Sequence, residues 1–454
     1  MWFIASLALL LLAPFAPVTA AAQSAPKAQS GQTWVVAWAG SVQGPYPVGN
    51  PSAQPDMKLA FPSDEAGARD QSFRMIVKPE IWGREARVRF SNALGNRPVT
   101  FDAVFVGLHL TSSALVAGTN RPVTFGGKRS VTVPAGDSAW SDGVPLPFVR
   151  GAGSPELAGR KLAVSFHVAG ESGLMTWHAK ALQTSYLSMP GARPKSADES
   201  EGAFPISTTS WYFLDALDMR TSSDAYAIVA FGDSITDGTL STLNGDDRWP
   251  DVLARRLRAA HANRVSVVNA GIGGNQVVGP KEYSPQAPFP GGPSAVSRLE
   301  RDVLSLSGVA AVIWLEGIND FSKNGNATAE DVQAGMKQSV GRIRARIPGV
   351  RVIGATLTPA VDATNANHGF PEQDAKRKAL NDFIRTSGVF DGVADFDKVI
   401  IDPATGAMRP QFVHNTTVGG AGDNLHPNRL GYMAMGMAID LELLAPPAAK
   451  AAKR

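Results

Sequence analysis

The chain has 454 residues, of which 18% are charged, and a formal net charge of +3. This mild positive balance forms no basic cluster, so we expect no nucleic-acid partner. The absence of cysteine excludes disulfides, thiolate metal sites and a cysteine nucleophile, and the seven histidines form no closely spaced pair of the kind that binds zinc.

Residues 1–22 form an apolar stretch that ends in small residues, a pattern typical of a secretory signal peptide cleaved near Ala20 to Ala22. One departure from this pattern is that no Lys or Arg precedes the stretch. An N-terminal membrane anchor is the alternative interpretation. Pro14 and Pro17 interrupt the stretch and make it short for a membrane span. We therefore expect a secreted or periplasmic protein whose mature chain has no stable membrane insertion.

Short alternating apolar segments occupy residues 33–205, after a polar linker at 23–32. Examples are "EARVRFSN" and "KLAVSFHV", and turns separate them. No convincing amphipathic helix interrupts this pattern, which predicts an all-β, sandwich-like domain. Within it, Gly136-Asp137-Ser138 lies between strand-like segments, with no buried parallel strand before it. We interpret this tripeptide as a hairpin turn rather than a nucleophile site.

Some polar and aromatic residues of the first half are candidates for substrate contacts. Trp34, Trp38, Trp82 and Trp140 would suit either a sugar-stacking platform or packing, and packing is the more common role of buried tryptophan. Asn92 is a weaker candidate for the rim of a site.

Apolar runs alternate with helical patterns from residue 225 to residue 446. This rhythm predicts a mostly parallel sheet covered by helices on both faces. Thr328, with Asp331 three residues later, is typical of a helix N-cap. Asn428 is the expected cap of a final helix over residues 429–444.

"FGDSITDG", residues 231–238, directly follows one of these apolar runs. The carboxyl ends of parallel strands are where α/β sheets bind ligands, so Ser234 is either a nucleophile or a helix cap. A nucleophilic serine needs a base, and the base needs an orienting group. His426 has Asp423 three residues before it in a glycine-rich turn. That turn can aim both side chains the same way, so that the carboxylate accepts from one ring nitrogen and the other ring nitrogen reaches Ser234.

Two further loops can supply hydrogen-bond donors to a developing oxyanion. "NAGIGGNQ", residues 269–276, follows the second apolar run, and its glycines allow a backbone N–H to approach a substrate closely. "EGIND", residues 316–320, follows the third and places the side-chain amide of Asn319 there. Each loop alone would also suit a plain turn. The proline-rich segment 279–293 is either a wall of the pocket or a surface crossover.

The four segments "FGDSITDG", "NAGIGGN", "GIND" and "DNLHP" resemble, in order and position, the four blocks of the SGNH hydrolases, the GDSL esterase/lipase family. The likeness covers about residues 225–445, and the β-rich front half is similar to a two-domain subgroup. The usual leucine of the first block is Ile235 here. The resemblance implies a flavodoxin-like, three-layer α/β/α fold.

The same resemblance implies roles for individual residues. Ser234 would be the nucleophile and give one oxyanion-hole N–H, and Gly274 would give the second, with Gly273 as the alternative. Asn319 would supply the side-chain donor, and Asp423 and His426 would complete the triad. It implies neither a metal nor an organic cofactor.

Together these features predict a secreted serine esterase that hydrolyses carboxylic esters through an acyl-enzyme. We expect a small-molecule or polysaccharide ester as substrate, with a short acyl group such as acetyl on a carbohydrate. The stiff 279–293 loop and the lack of an amphipathic lid helix argue against long acyl chains. The alternatives are a lysophospholipase, lipase or acyl-thioesterase with the same triad, and, in another class, a carbohydrate-binding protein.

Overall fold

The structure is a computed structural model that describes residues 31–151, 154–416 and 420–444. The predicted signal peptide, residues 1–22, lies outside these ranges. None of the helices within them combines the length and the apolarity needed to cross a bilayer.

The N-terminal part consists of short strands joined by turns, with brief 3₁₀ turns as its helical elements in the described ranges. Its strands are β1 (Gln32–Ala39), β2 (Arg69–Val77), β3 (Glu85–Ser91), β4 (Val99–Thr111), β5 (Ala114–Leu115), β6 (Arg121–Pro122), β7 (Ser130–Val133), β8 (Ser138–Trp140), β9 (Val144–Pro145), β10 (Leu162–Glu171), β11 (Trp177–His178), β12 (Ser185–Leu187), β13 (Ile206–Thr208), β14 (Trp211–Tyr212) and β15 (Leu214–Ser222).

Most of these strands form two antiparallel sheets that face each other, and β11 pairs with β14 in a separate two-stranded sheet. One has the order β1-β15-β3-β8, with β9 on β3, and the other has the order β13-β12-β2-β10-β4-β5, with β6 and β7 on β4. Phe90 of the first sheet contacts Phe101 and Phe166 of the second, with ring centroids 4.7 and 4.9 Å apart. Because both inner faces contribute aromatic rings to one core, the predicted all-β, sandwich-like region is confirmed.

The β-rich part continues beyond residue 205. Strand β15 lies between β1 and β3 and carries the sheet to Ser222. Its sequence hides this role because Asp215 and Asp218 are buried within it. Arg89 binds Asp215 at 2.7 Å and Arg87 binds Asp218 at 2.7 Å, so each buried carboxylate has a partner.

The second part alternates strands and helices. Its strands are β16 (Tyr226–Gly232), β17 (Val265–Gly271), β18 (Val309–Leu315), β19 (Arg351–Ala355), β20 (Gly392–Ala394), β21 (Asn415–Thr416) and β22 (Gly420–Ala421). Its α-helices are α1 (Ser234–Asp237), α2 (Trp249–His261), α3 (Ala295–Leu299), α4 (Ala329–Arg346), α5 (Pro371–Thr386), α6 (Phe396–Ile400) and α7 (Arg429–Ala438).

Five parallel strands form the central sheet, in the order β17-β16-β18-β19-β20. Side chains of β16 alternate between its two faces. Ile228 packs with residues of α2 and α7, whereas Val229 joins the cluster that contains residues of α4 and α5. This arrangement is the predicted flavodoxin-like α/β/α fold.

Helix caps explain where several of these helices begin and end. Thr328 caps α4 through a reciprocal bond with Asp331, and Asn428 caps α7, as predicted. The final helix is shorter than predicted, because it ends at Ala438 rather than at residue 444. The Asp440 carboxylate accepts from the backbone N–H of Glu442, and this local turn competes with the helix.

The two parts share one continuous hydrophobic core. Val35 and Trp38 of β1 belong to the same buried cluster as Val268 and Ala270 of β17. At the same boundary the backbone N–H of Val36 donates to the carbonyl of residue 307, at 3.0 Å. The β-rich part therefore packs directly against the edge of the parallel sheet.

Candidate active site

Ser234 lies at the point where the strand order of the parallel sheet reverses. Strand β16 has β17 on one side and β18 on the other, and Ser234 begins the short helix α1 directly after it. Asp233 caps this helix by accepting from the N–H of Ile235 at 2.9 Å. Burial, with the nearby Glu316, raises the pKa of Asp233 well above its ordinary value.

The structure brings Ser234, His426 and Asp423 into one hydrogen-bonded chain. The Oγ of Ser234 lies 2.7 Å from Nε2 of His426. The Nδ1 of His426 lies 2.6 Å from Oδ2 of Asp423. These residues are 192 and 3 positions apart in the sequence, so folding of the last loop against α1 creates the chain.

The Asp423 carboxylate is held in its charged form. Its Oδ1 also accepts from the backbone N–H groups of Leu425 and His426, at 3.0 and 2.9 Å. Burial alone would raise the pKa of Asp423, but the hydrogen bonds and charge of His426 outweigh it and hold this pKa well below its usual range. An ionised carboxylate at Nδ1 keeps the other ring nitrogen, Nε2, facing the serine.

Gly274 and Asn319 line the same cavity as Ser234, and this cavity has a volume of about 340 Å³. Asn319 is buried and donates from Nδ2 to the carbonyl of Asn275 at 3.0 Å. A side-chain amide carries two N–H groups, so one remains for a ligand. The N–H of Gly273 donates to Oδ2 of Asp237 at 2.9 Å, and this bond occupies the alternative glycine donor.

A buried arginine fixes the loops that carry these groups. Arg298 donates to the carbonyls of Gly232 and Ala270, both at 2.8 Å, and to the side chain of Asn275 at 2.7 Å. It thereby joins the ends of β16 and β17 to the glycine loop. The planar guanidinium can bind these acceptors at once because its N–H groups point in several fixed directions.

Several polar residues of the cavity were not predicted from the sequence. Asn50 and Lys180 come from loops of the β-rich part, after β1 and after β11, and no spacing signal connects them to Ser234. His368 lies in the loop that follows β19, and its position after a parallel strand is a signal that could have found it. Burial and the charge of His426 lower the pKa of His368 to about 4.

Lys180 is the unusual member of this set. Its side chain is 6% exposed, and among the described residues its ammonium has neither a hydrogen-bond nor an ion-pair partner. Burial lowers the pKa of Lys180, although Asp237 and Asp423 oppose this effect. Because Lys180 lines the cavity, a ligand or water there can accept from its ammonium.

Other candidates from the first half have structural roles. Asn92 donates to the carbonyls of Arg97 and Val133 within the β-rich part and does not line the cavity. Trp34 and Trp140 stack on the guanidinium of Arg87, at 4.7 and 4.5 Å.

The remaining aromatic and turn residues follow the same pattern. Trp38 meets Trp211 edge-on at 4.8 Å, and Trp82 is buried. Packing is therefore the role of these tryptophans. Gly136 lies in a turn with φ of 86°, and Ser138 begins β8 as an exposed residue. The turn is not the predicted hairpin, because β7 pairs with β4 and β8 with β3, so the chain crosses here from one sheet to the other.

The segment 279–293 contributes one wall of the cavity through Phe289, Pro290 and Gly291. It contains neither a helix nor a named strand, in agreement with its prolines. Among the described residues, no cluster of three or more His, Asp or Glu side chains could hold a metal ion.

A serine at the switch point of a parallel α/β sheet, next to a paired imidazole and carboxylate, is an arrangement typical of serine hydrolases. Residues 230–434 match the GDSL-like lipase/acylhydrolase family. The chain therefore carries a GDSL-like lipase/acylhydrolase domain, preceded by a β-rich region, and is a carboxylic ester hydrolase.

Solved structures resemble about half of the chain. The native aryl esterase of M. smegmatis is 18% identical over 49% of this chain and 100% of its own, with a TM-score of 0.37. The lipase/acylhydrolase from Enterococcus faecalis is 23% identical, with the same coverages and TM-score. A carbohydrate acetylesterase family member from Sinorhizobium meliloti is 18% identical over 48% of this chain and 96% of its own, with a TM-score of 0.36. No curated protein sequence matches the chain.

Proposed function

We propose that the protein is a serine esterase in which Ser234 is the nucleophile, His426 the base and Asp423 the orienting carboxylate. The observation that carries this proposal is the continuous chain of hydrogen bonds from Ser234 through His426 to Asp423, at 2.7 and 2.6 Å. Ser234 and His426 line a cavity that is large enough for a small ester.

In the proposed reaction, Oγ of Ser234 attacks the ester carbonyl carbon while its proton moves to Nε2 of His426. The tetrahedral intermediate then collapses, and His426 gives that proton to the departing alcohol oxygen. Water attacks the resulting acyl-enzyme with the same imidazole as base, and the acid is released. Asp423 stabilises the imidazolium that forms in both steps.

The backbone N–H groups of Ser234 and Gly274, with the free amide hydrogen of Asn319, would bind the oxyanion. This assignment is supported by their common cavity and by the engagement of the Gly273 N–H with Asp237. Donors that meet the developing charge in a partly buried site contribute more in the transition state than in the bound substrate.

The lining of the cavity supports a polar alcohol and a short acyl group. Most side chains that face it carry amides, hydroxyls or charge, and Phe289, Pro290 and Leu425 are its larger apolar side chains. Lys180 adds an unpartnered donor. We therefore propose short-chain esters of carbohydrates, acetyl esters above all, as substrates. A lysophospholipase, lipase or acyl-thioesterase could use the same triad, but a long acyl chain would lack an apolar surface here.

We also propose that the protein is secreted or periplasmic. The support for this location is the apolar sequence of residues 1–22, which ends in small residues.

A carbohydrate-binding role alone would not account for the hydrogen-bonded chain of Ser234, His426 and Asp423.

The experiment is a series of p-nitrophenyl esters from C2 to C16, below their aggregation limits, followed by acetylated polysaccharides. We expect kcat/KM to be highest for acetyl to butyryl esters and acetate to be released from acetylated polysaccharide. Each methylene buried in a suitable pocket would add up to about 0.8 kcal/mol. A steady rise of kcat/KM to C10 or beyond would instead support the lipid-ester alternative.

A further inference from the structure

The β-rich part makes a direct contact with the peptide unit that carries a proposed oxyanion donor. Nδ2 of Asn50, in the loop between β1 and β2, donates to the carbonyl oxygen of Gly273 at 2.8 Å. That carbonyl and the N–H of Gly274 belong to one planar peptide unit. In a trans peptide the two groups point in opposite directions, so fixing the carbonyl fixes the direction of the N–H.

This peptide unit has little intrinsic resistance to rotation. It joins two glycines, and Gly274 has a φ of 81°, in the region that favours glycine. No side chain on either residue therefore blocks a rotation that would turn the Gly274 N–H out of the cavity. A Cβ on Gly274 would lie 2.8 Å from Nδ2 of Asn50, so the amide is packed closely against the glycine.

A second contact holds the preceding peptide unit, and a histidine of the β-rich part supports it. The N–H of Gly273 donates to Oδ2 of Asp237, and Oδ1 of Asp237 lies 3.2 Å from Nε2 of His178. The other ring nitrogen of His178 lies 2.6 Å from the carbonyl oxygen of Ser41, to which it can only donate. His178 and Asp237 are both buried, so both sides of Gly273 are fixed by contacts that begin in the β-rich part.

We infer that Asn50 is a positioning residue that holds the 273–274 peptide unit with the Gly274 N–H directed at the oxyanion. This inference rests on the proposed function, in which Gly274 is an oxyanion donor. The β-rich part then completes the catalytic apparatus of the α/β part without contributing a reacting group. Asn50 also contacts the carbonyl of Pro290, at 3.4 Å, and so joins the glycine loop to the proline-rich wall.

The loss of this contact should affect the transition state more than the bound substrate. Removal of one oxyanion donor typically lowers kcat by about 10²–10³-fold. A donor that is present but misaligned should lower kcat by a smaller factor. We therefore expect Asn50→Leu, which keeps the size but removes the donor, to lower kcat for p-nitrophenyl acetate by about 10–10²-fold with little change in KM. The kcat of Asn50→Asp should be lower still, because its carboxylate would repel the Gly273 carbonyl oxygen.

Asn263 offers a matched control. It also joins the two parts, by accepting from the N–H of Trp82 at 2.9 Å and donating to its carbonyl at 2.7 Å, but it does not line the cavity. Asn263→Leu should lower the Tm and leave kcat close to wild type. The pH profile of Asn50→Leu should keep the wild-type shape, because the imidazole is untouched.

The outcomes separate this inference from the proposed function. Ser234-dependent turnover in the wild type, together with an unchanged kcat in Asn50→Leu, would overturn the inference alone. A raised KM with unchanged kcat would also overturn it, because Asn50 would then bind substrate uniformly. If Asn50→Leu does not fold, Asn50→Ala gives the same comparison. Wild-type turnover that does not need Ser234 would overturn the proposed function and the inference with it.

Discussion

The α/β part and the β-rich part contribute to the cavity in different ways. The proposed catalytic groups all belong to the α/β part: Ser234 begins α1, and His426 and Asn319 lie in loops. The β-rich part adds Asn50 and Lys180, which touch the same space from the other side. The difference teaches that the topology of a parallel sheet fixes where the chemistry occurs, whereas the alignment and alcohol recognition that we propose depend on how a second region packs against it.

The largest effect should come from the nucleophile. Ser234→Ala should abolish ester hydrolysis while the protein stays folded, because removal of a triad member typically costs several orders of magnitude in kcat. Turnover of p-nitrophenyl acetate and a thermal melt measure the two properties. The control is Ser138→Ala, which changes the serine of the second Gly-Asp-Ser in the β-rich part and should be nearly silent. A large loss of turnover in Ser138→Ala would contradict the assignment of the reaction to the α/β part.

The orienting carboxylate should come next. Asp423→Asn should lower kcat by about 10³-fold or more, because the imidazole loses the acceptor that fixes its tautomer. In wild type, kcat/KM should rise with pH through a single limb, since the base must be neutral. Because the pKa of His368 is lowered to about 4, this second imidazole should not add a limb to the pH profile near neutral pH. An unchanged rate in Asp423→Asn would remove Asp423 from the mechanism.

The oxyanion donor on the α/β side should have an intermediate effect. Asn319→Ala should lower kcat by about 10²-fold with a smaller change in KM, because its amide meets the charge that develops in the transition state. Steady-state kinetics on p-nitrophenyl acetate measure both constants. If KM rises while kcat stays constant, Asn319 binds the substrate in its ground state and the assignment is wrong.

The smallest effect should come from the β-rich part and should depend on the alcohol. Lys180→Met should lower kcat/KM for an acetylated sugar by about tenfold, since one hydrogen bond from a charged donor contributes roughly 1.5–3 kcal/mol. The loss with p-nitrophenyl acetate should be smaller, because its alcohol offers fewer acceptors.

Lys78→Met is the matched control for this change. Lys78 is also a lysine of the β-rich part, but it pairs with Asp251 at 2.8 Å and lies outside the cavity of Ser234. Lys78→Met should therefore lower the stability of the protein and leave its substrate preference unchanged. Equal losses on both substrates in Lys180→Met would assign Lys180 to the reaction or to folding instead of the alcohol.

Local patterns predicted the α/β part well. Apolar runs placed its strands, and the caps at Thr328 and Asn428 placed the starts of α4 and α7. The loops after those strands had to meet, because the carboxyl ends of parallel strands share one edge of the sheet. For the same reason the sequence order of the four blocks was enough to bring Ser234 and Asn319 to one cavity.

The contributions of the β-rich part could not be predicted in this way. Asn50 reaches Gly273 across 223 positions, and the two meet only because β1 packs against β17. Strand β15 escaped prediction because the buried pairs of Asp215 and Asp218 break its apolar pattern. Both cases depend on tertiary contacts, which no local spacing encodes.

The continuous core across β1 and β17 has a consequence for how the protein responds to heat. Regions with separate cores can melt independently, whereas regions that bury one another's apolar surface lose it together. Val35 and Val268 lie in the same cluster, so partial opening of the boundary would expose the interior of both parts. Calorimetry should therefore record one cooperative transition. Catalysis should persist up to that transition and be lost with it, because the glycine loop follows β17, whose core residues unfold together with those of β1.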